Sequence, residues 1–194
     1  MAERAHPDDS GFQDNGPIQN IYRKCLYDRY EFCNEFTVGK IVLDVPCGTG
    51  WGTSLLRGAK KIYGVDISQE SILFANQRFG GHDITFQQGS MASLPFERNS
   101  LDLIICLEGF EHVQQEVGLK FLDEANRTLN KSGLLIMTIP ILTNGRHSGN
   151  PYHLYEPSHD EIQALLSERF RISLFEIFAG PDSKIVRFVG APKY

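Results

Sequence analysis

The residues best suited to chemistry form two groups, and the first is a glycine-rich segment with a distant acid. Gly48 and Gly50 follow a short β-branched run that contains Asp44. Glycine is needed where a ligand approaches the backbone or where φ must be positive. Asp66 stands 22 positions after Asp44, at the end of the next β-branched run, where a carboxylate can accept hydrogen bonds from a ribose diol. The combination favours a ribose-containing cofactor over a tight turn without a ligand.

The second group contains two carboxylates and two imidazoles. Glu108, Glu111 and His112 follow one predicted strand, and His153 lies in the segment after the next strand. In a parallel sheet both segments leave the same edge, so the four side chains could converge. They could hold a divalent cation in mixed oxygen and nitrogen coordination, or one histidine could act as a general base. A hydrogen-bonded network that only fixes the two loops is the third interpretation.

Short apolar runs that alternate with helical patterns must position these residues. We predict strands over residues 41–45, 62–65, 84–86, 101–106, 134–139, 171–178 and 184–189, and a turn at residues 131–133. We predict helices over residues 68–78, 115–129 and 158–168, and one or two over residues 18–36. This alternation is typical of a mainly parallel sheet with helices on both faces. Residues 179–183 are too few for a crossover helix, so the last two strands should be antiparallel.

Composition narrows the class of protein. The 194 residues are 41% hydrophobic and 22% charged, which suits one compact domain with a buried core. No apolar run approaches the ~20 residues of a membrane-spanning helix, and the polar N-terminus lacks a signal-peptide core. We therefore expect a cytoplasmic protein with reduced cysteines and no membrane partner. The net charge of −5 argues against nucleic acid as a partner.

The glycine turn and the later motifs resemble those of class I S-adenosylmethionine-dependent methyltransferases. The resemblance runs from about Gly39 to the C-terminus and rests on residues 44–50, 66–68, 88–96, 100–104 and 129–140. It implies an α/β, Rossmann-like sheet of seven strands, mainly parallel with an antiparallel last strand. It also implies S-adenosylmethionine as the cofactor. Residues 39–194 would form the methyltransferase domain, preceded by an N-terminal arm and edge helices in residues 1–38.

The same resemblance implies roles for individual residues. The backbone of Gly48 and Gly50 would meet the amino-acid part of the cofactor, Asp66 the ribose, and Ser90 with Met91 the adenine. The full cofactor-binding set is Asp44, Cys47, Gly48, Thr49, Gly50, Asp66, Ile67, Ser90, Met91 and Leu107. Ser90 stands where many family members carry an aspartate, so its bond to adenine lacks charge-assisted strength. Pro46 replaces the usual first glycine of the turn and favours an extended Val45. Arg29 and Tyr30 could cover the cofactor or could lie on an edge-helix surface.

The pattern Glu108-x-x-Glu111-His112 resembles two branches of that family. Ubiquinone-type O-methyltransferases and small-RNA 2′-O-methyltransferases carry it, the latter with a metal. A closer resemblance, through residues 3–7 and 150–153, is to methyltransferases found with polysaccharide and O-antigen biosynthesis. It implies methyl transfer to an oxygen of a small-molecule or sugar acceptor, with biosynthetic enzymes as partners.

The four acid and imidazole residues are then candidates for two roles. Glu108, Glu111, His112 and His153 are the catalytic candidates and also the candidate ligands of a divalent metal. RNA ribose and a quinol ring are the alternative acceptors. A non-catalytic, cofactor-binding domain in a larger assembly is the alternative to an enzyme, and the retained acid and imidazole group argues against it.

Overall fold

The computed structural model describes residues 17–179 and 184–193. The helices are α1 (Pro17–Asn34), α2 (Gln69–Phe79), α3 (Gln115–Thr128) and α4 (His159–Arg169). The strands are β1 (Ile41–Asp44), β2 (Lys61–Asp66), β3 (Ile84–Gln88), β4 (Leu101–Leu107), β5 (Leu129–Ile141), β6 (Phe170–Ala179) and β7 (Lys184–Pro192). Residues 1–16 of the predicted N-terminal arm, with the motif at residues 3–7, lie outside the described residues.

The seven strands form one sheet in the order β3-β2-β1-β4-β5-β7-β6. Strands β1 to β5 pair in parallel, whereas β7 runs antiparallel to both β5 and β6. The predicted Rossmann-like sheet, mainly parallel with an antiparallel last strand, is confirmed. The antiparallel pairing of the last two strands is confirmed as well.

Helices cover both faces of the sheet. Alternate residues of a strand point to opposite faces, and the two apolar clusters divide along that alternation. On one face, Ile104 of β4 packs in a cluster with Phe121 of α3 and Leu166 of α4. On the other face, Ile105 packs in a cluster with Cys33 of α1. The central strands are therefore buried on both sides, as parallel strands require.

Serine caps start two of the helices. The Ser68 hydroxyl accepts from the backbone N–H of Ser71 at the start of α2. Ser158 and Glu161 form a full capping box at the start of α4, satisfying backbone donors that the first turn leaves unpaired. Ser68 follows the carboxyl end of β2, so α2 begins at the sheet edge that also bears the segments after β4 and β5.

The turn predicted at residues 131–133 is wrong, because the structure includes those residues in β5 and ends α3 at Thr128. The local turn chemistry is nevertheless present, since the Asn130 side chain accepts from the backbone N–H of Ser132 at 3.0 Å. A register shift against Leu101 and Leu103 of β4 absorbs the extra length. The segment is thus an irregularity inside a long strand.

The connection from β1 to β2 contains only a 3₁₀ turn at Thr53–Leu55 among its elements. Helix α1 supplies apolar cover on that side of the sheet, with Tyr30 and Cys33 packed in the cluster that contains Val42 and Ile62. Within residues 17–179 and 184–193, no helix has the length and apolar character to cross a membrane.

Candidate active site

The glycine turn lies at the carboxyl end of β1. Gly48 and Gly50 have φ angles of 53° and 78°, a region that favours glycine. A Cβ atom on Gly50 would lie 2.7 Å from the Phe86 ring, whereas nothing lies within 4 Å of that position on Gly48. Gly50 is therefore required for the turn to pack against β3. Gly48 leaves its backbone open to a ligand.

Asp66 holds this turn from the end of β2. One carboxylate oxygen accepts from the Gly48 backbone N–H at 2.9 Å, and the other accepts from the Ser68 N–H at 2.8 Å. The side chain is nearly buried, at 6% exposure. Each carboxylate oxygen has two acceptor sites, so capacity for a ribose hydroxyl remains. Asp66 thus positions the turn as well as facing the candidate cofactor site.

Asp44 is a buried carboxyl at the end of β1. Its Oδ2 accepts from the Thr53 hydroxyl at 2.6 Å and from the Tyr30 hydroxyl at 3.2 Å, while its Oδ1 has no hydrogen-bond partner. Burial raises the pKa of Asp44 to about 7, with a smaller contribution from Asp66, although the two hydroxyls oppose the shift. An unpaired buried acceptor costs roughly 1–3 kcal/mol. A cationic ligand group would satisfy it.

The remaining cofactor candidates also follow carboxyl ends of strands. Ile67, after β2, is 73% exposed, whereas Met91 is 6% exposed. The Ser90 hydroxyl accepts from the Ala92 N–H at 3.2 Å. Cys47 is buried, and both Thr49 and Leu107 are half-buried. Ile67 therefore presents an unusually exposed apolar side chain beside the turn.

Helix α1 contacts the site directly. Arg29, with its side chain only 9% exposed, lies 3.3 Å from the Glu108 carboxylate, and Tyr30 reaches Asp44. The Nε of Arg29 and the Oε1 of Glu108 are both buried without a hydrogen-bond partner. Trp51 of the glycine turn packs edge-on against Tyr30, with 6.5 Å between ring centroids. Arg29 and Tyr30 therefore face the site rather than an outer helix surface.

The structure brings together three of the four predicted acid and imidazole residues. Glu111, His112 and His153 each offer one ligand atom, and these atoms all lie within 4.8 Å of one another. The two imidazole rings meet edge to face, with centroids 5.2 Å apart. The Nε2 of His112 lies 3.8 Å from the Glu111 carboxylate. Glu108 is not in this group, because its side chain pairs with Arg29. Its backbone is left-handed, with φ of 49°.

Backbone hydrogen bonds join the two loops that carry this cluster. The Glu111 carbonyl accepts from the N–H groups of Leu154 at 2.7 Å and Tyr155 at 3.1 Å. The Nδ1 of His112 lies 3.1 Å from the Tyr152 carbonyl. Since a carbonyl can only accept, His112 must carry its proton on Nδ1. The loops after β4 and β5 therefore converge, and His112 keeps a lone pair on Nε2.

Two residues that the sequence interpretation missed surround His153. Its Nδ1 hydrogen-bonds the Glu156 carboxylate and lies 3.1 Å from the Ser148 hydroxyl. Glu156 also accepts from the Ser148 backbone N–H at 2.7 Å. Burial works to raise the pKa of Glu156, but hydrogen bonds from Ser148 and His153 outweigh it, and the pKa lies below its usual value. The signal available in the sequence was a histidine three residues before a glutamate.

Residues 42–133 match the family model of a methyltransferase domain. A probable S-adenosylmethionine-dependent methyltransferase of Mycolicibacterium smegmatis is 28% identical over 133 residues, which cover 66% of this chain and 50% of the relative. A fatty-acid O-methyltransferase of the same organism is 31% identical over 103 residues, which cover 52% of this chain and 37% of the relative. The chain therefore spans half or less of the length of these curated relatives.

The fold is also that of a solved structure, the PH0226 protein from Pyrococcus horikoshii OT3. The two superpose with a TM-score of 0.74 at 20% identity, over 89% of this chain and 91% of that chain. At this level of identity the similarity shows a shared fold.

Proposed function

We propose that this protein, whose residues 42–133 match the model of a methyltransferase domain, belongs to the class I S-adenosylmethionine-dependent family and methylates an oxygen of a small-molecule or sugar acceptor. The observation that carries the proposal is the convergence of Glu111, His112 and His153 on loops that follow β4 and β5. Strand β4 is the neighbour of β1, whose carboxyl end bears the glycine turn. This adjacency of strands supports a proton-accepting role for the cluster next to the candidate cofactor site.

The residues of the glycine turn fit S-adenosylmethionine. Gly48 has open space beside its backbone, Asp44 offers a buried, unpaired carboxylate oxygen suited to an ammonium group, and Asp66 keeps acceptor capacity for the ribose. The exposed Ile67 would be covered by the adenine. When bound, the cofactor supplies an electrophilic methyl group on a sulfonium, a leaving group that needs no further activation.

The chain's own contribution is alignment and removal of a proton. A hydroxyl must lose its proton as the new bond to carbon forms, and a positioned imidazole can accept it. In His112 the proton on Nδ1 is held by the Tyr152 carbonyl, so Nε2 is the accepting atom. Glu111, 3.8 Å from that atom, stabilises the imidazolium that results. The other contribution of the chain is to hold the acceptor oxygen in line with the methyl group.

A divalent cation is a second candidate role for the same cluster. Glu111, His112 and His153 would hold it through one oxygen and two imidazole nitrogens, a set that suits Mg²⁺, Mn²⁺ or Zn²⁺. It would supply Lewis-acid chemistry, lowering the pKa of a bound hydroxyl. Glu108 falls outside this ligand set because it pairs with Arg29.

Among acceptors we favour a sugar hydroxyl, as in polysaccharide and O-antigen biosynthesis. The segment at residues 150–153 supports this choice, because Asn150 contacts the Nε2 of His153 at 3.1 Å and so lies at the site. The name of the fatty-acid O-methyltransferase relative supports transfer to oxygen. The net charge of −5 weighs against RNA.

Two measurements test the proposal. Calorimetry should detect S-adenosylmethionine binding that weakens about tenfold or more in Asp66→Ala, since buried ribose hydroxyls lose an acceptor. His82→Ala, which changes an exposed residue, should bind normally. Mass spectrometry should then find products heavier by one CH2 unit in a panel of nucleotide sugars, glycans, fatty acids, quinols and RNA. Absence of cofactor binding would refute the enzyme, whereas products only from RNA or quinols would refute the sugar acceptor.

A further inference from the structure

Glu156 is a buried carboxylate whose hydrogen-bond donors, among the residues that the structure describes, all lie in one loop. Its Oε2 accepts from the Ser148 backbone N–H at 2.7 Å and lies 3.5 Å from the Nδ1 of His147. Its Oε1 accepts from the Ser148 hydroxyl and contacts the Nδ1 of His153. The Glu156 side chain is 0% exposed and that of His153 is 12% exposed. The carboxylate is therefore fixed in place, and it in turn fixes the His153 ring.

The neighbours of the two ring nitrogens specify one tautomer of His153. A carboxylate only accepts, so the nitrogen that faces it must carry a hydrogen. The other nitrogen, Nε2, lies 3.1 Å from the side-chain amide nitrogen of Asn150, which only donates. Both contacts require a hydrogen on Nδ1 and a lone pair on Nε2. They agree independently, because they involve opposite sides of the ring.

We propose that Glu156 is a positioning residue, which holds His153 as the Nδ1–H tautomer and so keeps the Nε2 lone pair available at the active site. The role rests on the proposed function of His153, either as a base or as a metal ligand. A histidine held in this way by an oxygen acceptor is a common arrangement around reactive and metal-bound imidazoles. The Asn150 amide nitrogen contacts Nε2 and must move away when an acceptor or an ion binds at that atom.

The matching state of His112 strengthens the inference. Its Nδ1 donates to the Tyr152 carbonyl, so both histidines of the cluster have a protonated Nδ1. A backbone carbonyl performs this task for His112, and the Glu156 carboxylate performs it for His153. Both imidazoles therefore offer the same atom, Nε2, for chemistry.

The direct test is imidazole nitrogen NMR of the full protein, without cofactor or acceptor. The His153 signals are assigned by their loss in His153→Gln. With the ring neutral, we expect the wild type to show a protonated Nδ1 and an unprotonated Nε2. An Nε2–H tautomer, or a mixture of the two, would overturn the proposal, and this measurement needs no Glu156 variant to fold.

The variant Glu156→Gln should weaken the preference for that tautomer. The Ser148 backbone N–H can only donate, so the glutamine must place its oxygen toward that N–H and its NH2 group toward His153. That NH2 group would favour a proton on Nε2, whereas the Asn150 amide still donates toward Nε2, so we expect a mixture of the two tautomers. Unchanged nitrogen signals would contradict the proposal. Glu161→Gln is the matched control, because Glu161 accepts from Tyr155 and Ser158, and glutamine is tolerated at the same position of a capping box.

Activity provides the second readout. With an identified acceptor, Glu156→Gln should lower kcat by roughly 10–100-fold, the usual cost of losing such a positioning partner. The affinity for S-adenosylmethionine should not change, and Glu161→Gln should retain kcat. A loss of cofactor affinity equal to the loss of kcat would mean a general structural role and refute positioning. If the tautomer is as expected and no acceptor is methylated, the proposed function fails while the assignment of Glu156 stands.

Discussion

The buried carboxyl of Asp44 should make the protein less stable as the pH rises, and Asp44→Asn should remove that dependence. The pKa of Asp44 is raised from 3.8 to about 7, chiefly by burial. The folded state therefore binds this proton more tightly than the unfolded state, so stability falls as the pH rises from the unfolded pKa to the folded pKa. Each pH unit within that window corresponds to about 1.4 kcal/mol. Between pH 5 and pH 8 the loss is about 3 kcal/mol, most of it below pH 7.

Asparagine keeps an oxygen for Thr53 and Tyr30 but carries no titrating group. Its amide N–H atoms lack a partner at the former Oδ1 position, a roughly constant cost of about 1–3 kcal/mol. Comparing the two proteins at two pH values cancels that constant. The quantity to compare is the free energy of unfolding of Asp44→Asn minus that of wild type. We expect this difference to be about 3 kcal/mol higher at pH 8 than at pH 5.

Urea unfolding at both pH values, without cofactor, measures this difference. Asp83→Asn is the control, since Asp83 is exposed and its substitution should change stability by less than about 0.5 kcal/mol at either pH. A difference between wild type and Asp44→Asn that is the same at pH 5 and pH 8 would refute the reasoning. It would mean that Asp44 is already ionised in the folded protein at pH 5.

Three further outcomes follow from the site. Gly50→Ala should destabilise the fold by more than about 1 kcal/mol in thermal unfolding and abolish cofactor binding. The added Cβ would lie 2.7 Å from the Phe86 ring, and the backbone has a positive φ. The control Gly145→Ala also has a positive φ, of 71°, but nothing lies within 4 Å of its Cβ, so it measures the backbone contribution alone. His112→Ala and His153→Ala should lower kcat while calorimetric affinity for S-adenosylmethionine is retained, and wild-type turnover in both would leave these histidines with a structural role only. EDTA should abolish activity, and added Mn²⁺ or Mg²⁺ should restore it, if the cluster binds a metal; activity indifferent to chelation would leave His112 as a base.

Local sequence chemistry was sufficient to predict the glycine turn and the acid at the end of the next strand. Gly48, Gly50 and Asp66 were predictable because a strand followed by a glycine turn, and an acid at the end of the next strand, specify their own surroundings. The caps at Ser68 and Ser158 are local in the same sense. The parallel sheet itself followed from the alternation of strands and helices.

The direction of individual side chains at the loops was not predictable. Glu108 belongs to the same short motif as Glu111, but it turns toward Arg29, a residue 79 positions earlier in the chain. No periodicity in the sequence indicates which of two nearby acids a distant arginine will pair with. The turn predicted at residues 131–133 failed for a related reason, since pairing with β4 overrode the local preference.

The position of β7 between β5 and β6 has a consequence for how the chain folds as it is synthesised. Strand β6 leaves the ribosome first but has no neighbour in the sheet until β7 has been made. Until then β5 presents an unpaired edge whose side chains from Ile136 onward are otherwise buried. Such an edge is a template for pairing with another chain, and long-range pairing is slow to form. The interval between synthesis of β5 and insertion of β7 is therefore the period in which this edge is open to aggregation.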